Sequence, residues 1–257
     1  MIKMTKTNIL VSAFDSNFLE YAKMMYLSFK KFNRKTEMYC CDCGLTENDI
    51  CEIQSIGVTV LSAPQKTNVL DKRCYDMILT EFLQNIQWDS LMWADADTLF
   101  CKNVEHLFEL KYDFVGHPGR NKNGLIIKCK DAVYPPEIIK SHPESNYYAT
   151  GMWVTNNKAL LDELLDWIKE TNFDGADSPP VTEIVNNGYS SFQLDGNLYN
   201  FSRDLVSSGR LDKDGIYYEL NGVVFRPYTV GFSSCDDGSR KTSDDIEKFK
   251  NIITASS

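Results

Sequence analysis

The first sixty residues alternate strand and helix in a rhythm that leaves few folds open. Asn8 to Ala13 (NILVSA) is a short apolar run of the kind that forms a buried parallel strand. Phe18 to Phe32 then places Leu19, Ala22, Met25, Tyr26 and Phe29 at helical spacing, after cap residues in Asp15-Ser16-Asn17. Glu37 to Cys41 reads as a second strand. Thr46 to Ser55 reads as a helix with Thr46 as cap, Asp49 three residues on and Gly57 as its stop. Val58 to Leu61 is a third strand. A β-α-β-α-β order predicts an α/β fold with a central, mainly parallel sheet and right-handed crossovers.

Further on, a helix is expected over about Cys74 to Asn85, and a buried strand over Asp89 to Ala94 (DSLMWA) that runs into Asp95-Ala96-Asp97. Thr98 to Cys101 leaves the sheet and Val104 to Phe108 reads as a short helical turn. The second half is less regular. Strands are expected at Phe114 to Gly116, Tyr148 to Thr155 and Gly222 to Pro227, and helices at Lys158 to Lys169 and Val181 to Asn187. A polar loop falls at Arg120 to Gly124, and Tyr134-Pro135-Pro136 breaks the chain before a short helix. His117-Pro118-Gly119 reads as a turn. With no internal repeat and no clear linker, one domain is the economical reading.

The 257 residues are 43% hydrophobic and 25% charged, with a net charge of −9. That balance affords a packed core, and the acidic surface disfavours broad nucleic-acid binding. A nucleotide ligand is still compatible, because a divalent cation carries phosphate into an acidic pocket. No signal peptide and no run of about 18 apolar residues is apparent, so the expectation is a cytoplasmic protein, with peripheral membrane attachment left open. The eight cysteines include Cys40, Cys41, Cys43 and Cys51, whose spacing does not match paired zinc knuckles. Free thiols acting as small buried hydrophobes are the simpler reading.

Asp95 and Asp97 carry the chemistry. They stand where a buried strand leaves the core, and in open parallel sheets ligands gather outside the carboxyl ends of strands. Two hard oxygen ligands suit Mn²⁺ or Mg²⁺, with other positions left to phosphate oxygens and water. The alternative is a loop whose aspartates merely cap the next turn.

The stretch Trp88 to Phe108 (WDSLMWADADTLFCKNVEHLF) resembles the D-x-D region of GT-A-fold glycosyltransferases, family eight above all. That family includes glycogenin and bacterial lipopolysaccharide galactosyltransferases. The resemblance covers roughly residues 8–200. It implies a single GT-A-like domain in which about 8–110 bind the nucleotide and about 111–257 shape the donor sugar and receive the acceptor. It implies a nucleoside-diphosphate donor, with UDP favoured by analogy, and a hydroxyl acceptor on a glycan or another molecule. Metal ligation falls to Asp95 and Asp97 around Ala96. Ser12 to Phe18 resembles the first nucleotide loop, so Ala13, Asp15, Asn17 and Phe18 are expected at the base. Lys72 or Arg73 would reach the donor's phosphates or sugar. Thr150 and Gly151 resemble the small-residue segment beside that sugar. Glu183, with Asp177 and Asp195 as rivals, would act as base to the acceptor or partner the donor's far face. Each of these has a plainer reading as a surface, cap or turn residue.

One departure stands out. Family eight supplies a third metal ligand from a late histidine, and this chain has only His106, His117 and His142. Phe232 to Arg240 either substitutes Asp236 or Asp237 or supplies no ligand, so retaining and inverting chemistry both stay open. Two other classes compete with this reading. A nucleotidyltransferase needs a Gly- and Arg/Lys-rich loop after the first strand, and Phe14 to Phe18 has neither. A non-catalytic sugar- or nucleotide-binding module remains the other alternative. Tyr147, Tyr148, Trp153 and Tyr199 read either as an acceptor groove or as aromatic core.

Overall fold

The computed structural model describes residues 6–62, 78–119, 126–131, 143–171, 178–196, 198–199, 210–212, 215–220 and 222–231. Expectations for Lys72, Arg73, Asp177, residues 120–124, 134–136 and 232–240 lie outside them.

The chain opens with β1 (Asn8–Phe14), α1 (Leu19–Phe32), β2 (Glu37–Asp42), α2 (Glu47–Ser55) and β3 (Thr59–Leu61). α2 starts as the sequence predicts. The Thr46 side chain accepts from Asp49 N, and the Asp49 carboxylate accepts from Thr46 N, a reciprocal capping box. It ends at Gly57, whose φ of 92° is one an L side chain rarely adopts. Then follow α3 (Leu79–Phe82), β4 (Ser90–Ala94), β5 (Thr98–Phe100), β6 (Phe114–Pro118), β7 (Tyr148–Thr155), α4 (Lys158–Thr171), α5 (Ser178–Gly188) and β8 (Ser191–Gln193). β9 (Arg210–Asp212), β10 (Gly215–Leu220), β11 (Val223–Phe225) and β12 (Thr229–Gly231) complete the elements.

Seven strands form the central sheet in the order β3-β2-β1-β4-β7-β6-β8. β1, β2, β3 and β4 pair in parallel, β7 runs against both β4 and β6, and β8 is parallel to β6. β7 is therefore the one reversed strand, and the mainly parallel sheet expected from sequence is present. One face packs Ile9, Val11, Leu91, Trp93 and Trp153 against α3, α4 and α5. The other packs Leu10, Met92, Ala94 and Met152 against α1 and the first turn after β5. The alternation within β1 and β4 is the period-two pleat of a strand buried on both sides.

Two local readings change. His117 and Pro118 are the end of β6, not a turn. β8 stops pairing at Gln193↔Gly116, so among the described residues Pro118 has no strand neighbour on that side that would need its missing N–H. A bulge between Gly116 and His117 absorbs the register shift against β7. Likewise, Pro179 and Pro180 lie inside the first turn of α5 rather than before it. Helix N-termini tolerate proline because those N–H groups have no intrahelical acceptor. Tyr147, Tyr148, Trp153 and Tyr199 are all buried, which favours the core reading of those aromatics. Cys40 and Cys41 are free, buried thiols whose pKa values burial raises.

A pairing invisible in the sequence joins the late chain to the strand that follows Asp95-Ala96-Asp97. β12 lies antiparallel to β5, with Gly231 opposite Thr98. Tyr199 and Tyr228 stack at 4.9 Å with 5° between their planes, and His106 Nε2 lies 2.9 Å from the Tyr199 hydroxyl. Burial holds the His106 imidazole below its ordinary pKa, so it is neutral at pH 7. Lys102 Nζ donates to the Arg226 carbonyl at 2.7 Å and sits 4.9 Å above the Tyr228 ring.

Candidate active site

The strand order has a reversal between β1 and β4. From β1 the chain moves outward to β2 and β3, then returns to the other side of β1 to lay down β4. At such a switch point the loops leaving the two strands part and open a crevice at the carboxyl edge. The loop after β1 begins at Asp15, and the loop after β4 begins at Asp95.

The register shows how squarely these loops face each other. Val11 pairs with Trp93, Trp93 with Trp153, Trp153 with Gly116, and Gly116 with Gln193. Two residues beyond that row, at the same edge, come Ala13, Asp95, Gly151 and Asp195. Of these, Asp95 and Gly151 touch directly, through the Asp95 N–H and the Gly151 carbonyl.

Asp95 and Asp97 are held in a tight turn. Thr98 N donates to the Asp95 carbonyl at 2.9 Å, and Asp95 N donates to the Gly151 carbonyl at 2.9 Å. Thr98 Oγ1 approaches the same Gly151 oxygen at 3.4 Å. The turn sets Asp95 and Asp97 just past the carboxyl end of β4. Both aspartates are part-exposed and Ala96 between them is buried. The indole Nε1 of Trp93 donates to Asp95 Oδ1 at 3.1 Å.

The first loop is shaped by Asp15. Its Oδ1 accepts from Asn17 N at 2.9 Å and its Oδ2 from Asn17 Nδ2 at 3.0 Å, which caps the short turn Ser16–Phe18. Ser16 Oγ reaches the Gly44 carbonyl and the Asp49 carboxylate, tying this loop to the one after β2. Phe18 stays 40% exposed beside Tyr21, an apolar surface at the crevice.

Across the crevice, Thr150 Oγ1 bonds the Ser178 hydroxyl at 2.9 Å, and Thr182 Oγ1 accepts from Tyr148 N at 3.0 Å. These contacts seat the first turns of α5 beside β7. Glu183 follows on α5; its Oε1 accepts from Asn187 Nδ2 at 2.8 Å, and its charge contributes to the raised pKa of Cys129, after burial. Asp195 is exposed, and its carbonyl accepts from Leu198 N and Tyr199 N. Asp195 follows β8, which stands three strands from β4 in the sheet order.

Among the described residues no group of three or more His, Cys, Asp or Glu side chains converges as a closed metal site. The donor set is the Asp95 and Asp97 carboxylates. They are hard oxygens that fit Mn²⁺ or Mg²⁺, cations that keep several positions for water and phosphate. Trp93, Thr98 and Ser178 were missed from sequence. For Trp93 a signal existed, since residues two apart on a strand share a face and a buried indole N–H seeks an acceptor.

A seven-stranded sheet in this order, with a single reversed strand and an acidic turn at its switch point, has the GT-A fold. Solved structures agree. The galactosyltransferase LgtC, determined with donor and acceptor sugar analogues, matches with a TM-score of 0.63 and 11% identity, covering 96% of this chain and 95% of that one. The bifunctional glycosyltransferase WbbM matches with a TM-score of 0.63 and 12% identity, over 99% of this chain but 50% of its own. The glycosyltransferase GlyE of Streptococcus pneumoniae TIGR4 matches with a TM-score of 0.58 and 14% identity, over 97% and 60%. At these identities the likeness is one of fold. No family model and no curated protein matches the chain. Among the described residues no helix is long and apolar enough to cross a membrane.

Proposed function

We propose that this chain is a metal-dependent glycosyltransferase that moves a sugar from a nucleoside-diphosphate donor, UDP by preference, to a hydroxyl acceptor. The observation that carries the reading is the pair Asp95 and Asp97, fixed by Gly151 and Thr98 at the switch point opposite the Asp15–Phe18 loop. In this reading the base lies against Phe18 and the loop ordered by Asp15 and Asn17, beside Ala13. The diphosphate lies toward Asp95 and Asp97, which would hold Mn²⁺ or Mg²⁺. When bound, that cation offsets the charge that develops on the leaving diphosphate. Lys72 or Arg73 would add to this from the segment before α3. The donor sugar lies over Thr150 and Gly151, whose missing side chain lets the backbone approach it. Glu183, on α5, and Asp195, after β8, are the candidates to meet an acceptor hydroxyl. One of them serves as base if the transfer inverts.

The test is turnover. Incubation with a panel of UDP-sugars and glycan acceptors should release UDP with Mn²⁺ or Mg²⁺, and Asp95→Asn and Asp97→Asn should each reduce release at least about 100-fold, a loss of about 2.7 kcal/mol of transition-state stabilisation. Release that is indifferent to both substitutions would overturn the reading. Glu183→Gln and Asp195→Asn separate the two candidate bases: the true one loses kcat with KM for the donor held.

A further inference from the structure

Two tryptophans face each other at the centre of the sheet, and their indole N–H groups meet different fates. Trp93 and Trp153 are cross-strand partners with ring centroids 6.5 Å apart and 23° between planes. Both are buried, at 4% and 0% exposure. Among the described residues, the buried Trp153 Nε1 has no hydrogen-bond partner. The Trp93 Nε1 donates to Asp95 Oδ1 at 3.1 Å.

The contact to Asp95 is made by the carboxylate, which turns back along its own strand face to reach the ring. The ring is held by the Trp153 stack behind it, and Trp153 in turn by Phe114 at 5.9 Å. The Asp95 backbone is pinned separately through its N–H to the Gly151 carbonyl. Main chain and one carboxylate oxygen are thus each held by a hydrogen bond.

We infer that Trp93 is a positioning residue for Asp95, fixing through its indole N–H the carboxylate orientation that a divalent cation would meet. This rests on the donor-site reading above. Groups that orient a metal ligand through a hydrogen bond typically govern 10- to 100-fold in metal affinity. The same logic assigns no such role to Trp153, though it is equally large, equally buried and stacked on the same ring.

The experiment compares Trp93→Phe with Trp153→Phe. Mn²⁺ binding in the presence of UDP is read by calorimetry and by the electron paramagnetic resonance signal of free Mn²⁺, neither of which needs turnover. Melting without metal is the control for packing. Trp93→Phe should raise the Mn²⁺ dissociation constant about 10-fold or more, and Trp153→Phe should leave it within about twofold, whatever either does to the melting temperature. Equal effects on affinity, or none from Trp93→Phe, would overturn the inference. If Trp93→Phe does not fold, site-specific 3-benzothienylalanine at position 93 keeps the ring shape and removes only the N–H, and it should show the same 10-fold shift. Asp95→Asn and Asp97→Asn separate the two levels. If both lose Mn²⁺ while the Trp93 variants keep it, only the positioning role fails. If wild type itself binds no Mn²⁺ with UDP, the donor-site reading fails.

Discussion

Replacing Gly116 by alanine should destabilise the protein through one identifiable collision. The added methyl would lie 2.5 Å from Cε1 and 2.8 Å from Cζ of Phe114, where carbon contacts are ordinarily about 3.5–4.0 Å. The ring has no room to withdraw. Phe114 is fully buried, edge-on to Tyr148 at 5.1 Å and stacked on Trp153 at 5.9 Å. Overpacking of this kind costs about 2 kcal/mol, within a usual range of about 1–3. For a chain of this size each kcal/mol lowers Tm by about 2–4 °C, so the expected drop is about 4–8 °C. The assay is calorimetric melting of wild type, Gly116→Ala, Phe114→Leu and the double variant. Because the cost is a clash with one ring, the double variant should be less destabilised than the two singles combined, by about 0.5 kcal/mol or more. Melting of Gly116→Ala within about 1 °C of wild type, or strict additivity with Phe114→Leu, would refute the reasoning.

Other expectations follow from charge and burial. The Asp113 carboxylate accepts from Ser190 Oγ at 2.6 Å, Ser190 N at 2.9 Å and Asn157 Nδ2 at 2.9 Å. The Ser190 hydroxyl above all, then Asn157, hold its pKa below the ordinary value, so it stabilises the fold above the unfolded carboxylate pKa of about 3.9 and loses that effect as pH falls through the lower folded value. Asp113→Ala should lower the urea midpoint at pH 7 and differ progressively less from wild type below about pH 4; a gap that is constant with pH would contradict this. In the folded protein, alkylation followed by mass spectrometry should mark exposed Cys51 while sparing Cys40 and Cys41, which burial keeps as protonated thiols; early labelling of either buried thiol would count against the packing of β2.

The first half of the fold was legible because its signals are local. The apolar run of β1, the Thr46 capping box and the Gly57 stop each act within a few residues, and each appears where the sequence puts it. The acidic turn was legible for a similar reason, since a buried strand that ends in Asp-Ala-Asp has to present those carboxylates at an edge. What stayed hidden depends on long-range pairing. The direction of β7 is not written in YATGMWVT, because a strand covered on both faces is apolar whichever way it runs. The β5–β12 ladder joins Leu99 to Val230, and nothing within either segment names the other. His117-Pro118 looked like a turn because proline usually ends a ladder. It lies in a strand because β8 is too short to reach it. The contact of Asp95 with Gly151 emerges only from the pairing of β4 with β7.

The central claim is that Asp95 and Asp97 hold a divalent cation against a nucleoside diphosphate, and ligand-induced stabilisation tests it most directly. Melting temperatures of wild type and Asp97→Ala would be measured with UDP, GDP, dTDP and their sugars, with and without Mn²⁺. A ligand at about 100 times its Kd adds about 2.7 kcal/mol to stability, which at this size is a rise of several degrees. The account predicts that rise for one nucleotide, with UDP the expected base, only when Mn²⁺ is present and only with Asp97 intact. No rise with any nucleotide, or a rise that Asp97→Ala leaves untouched, would contradict it.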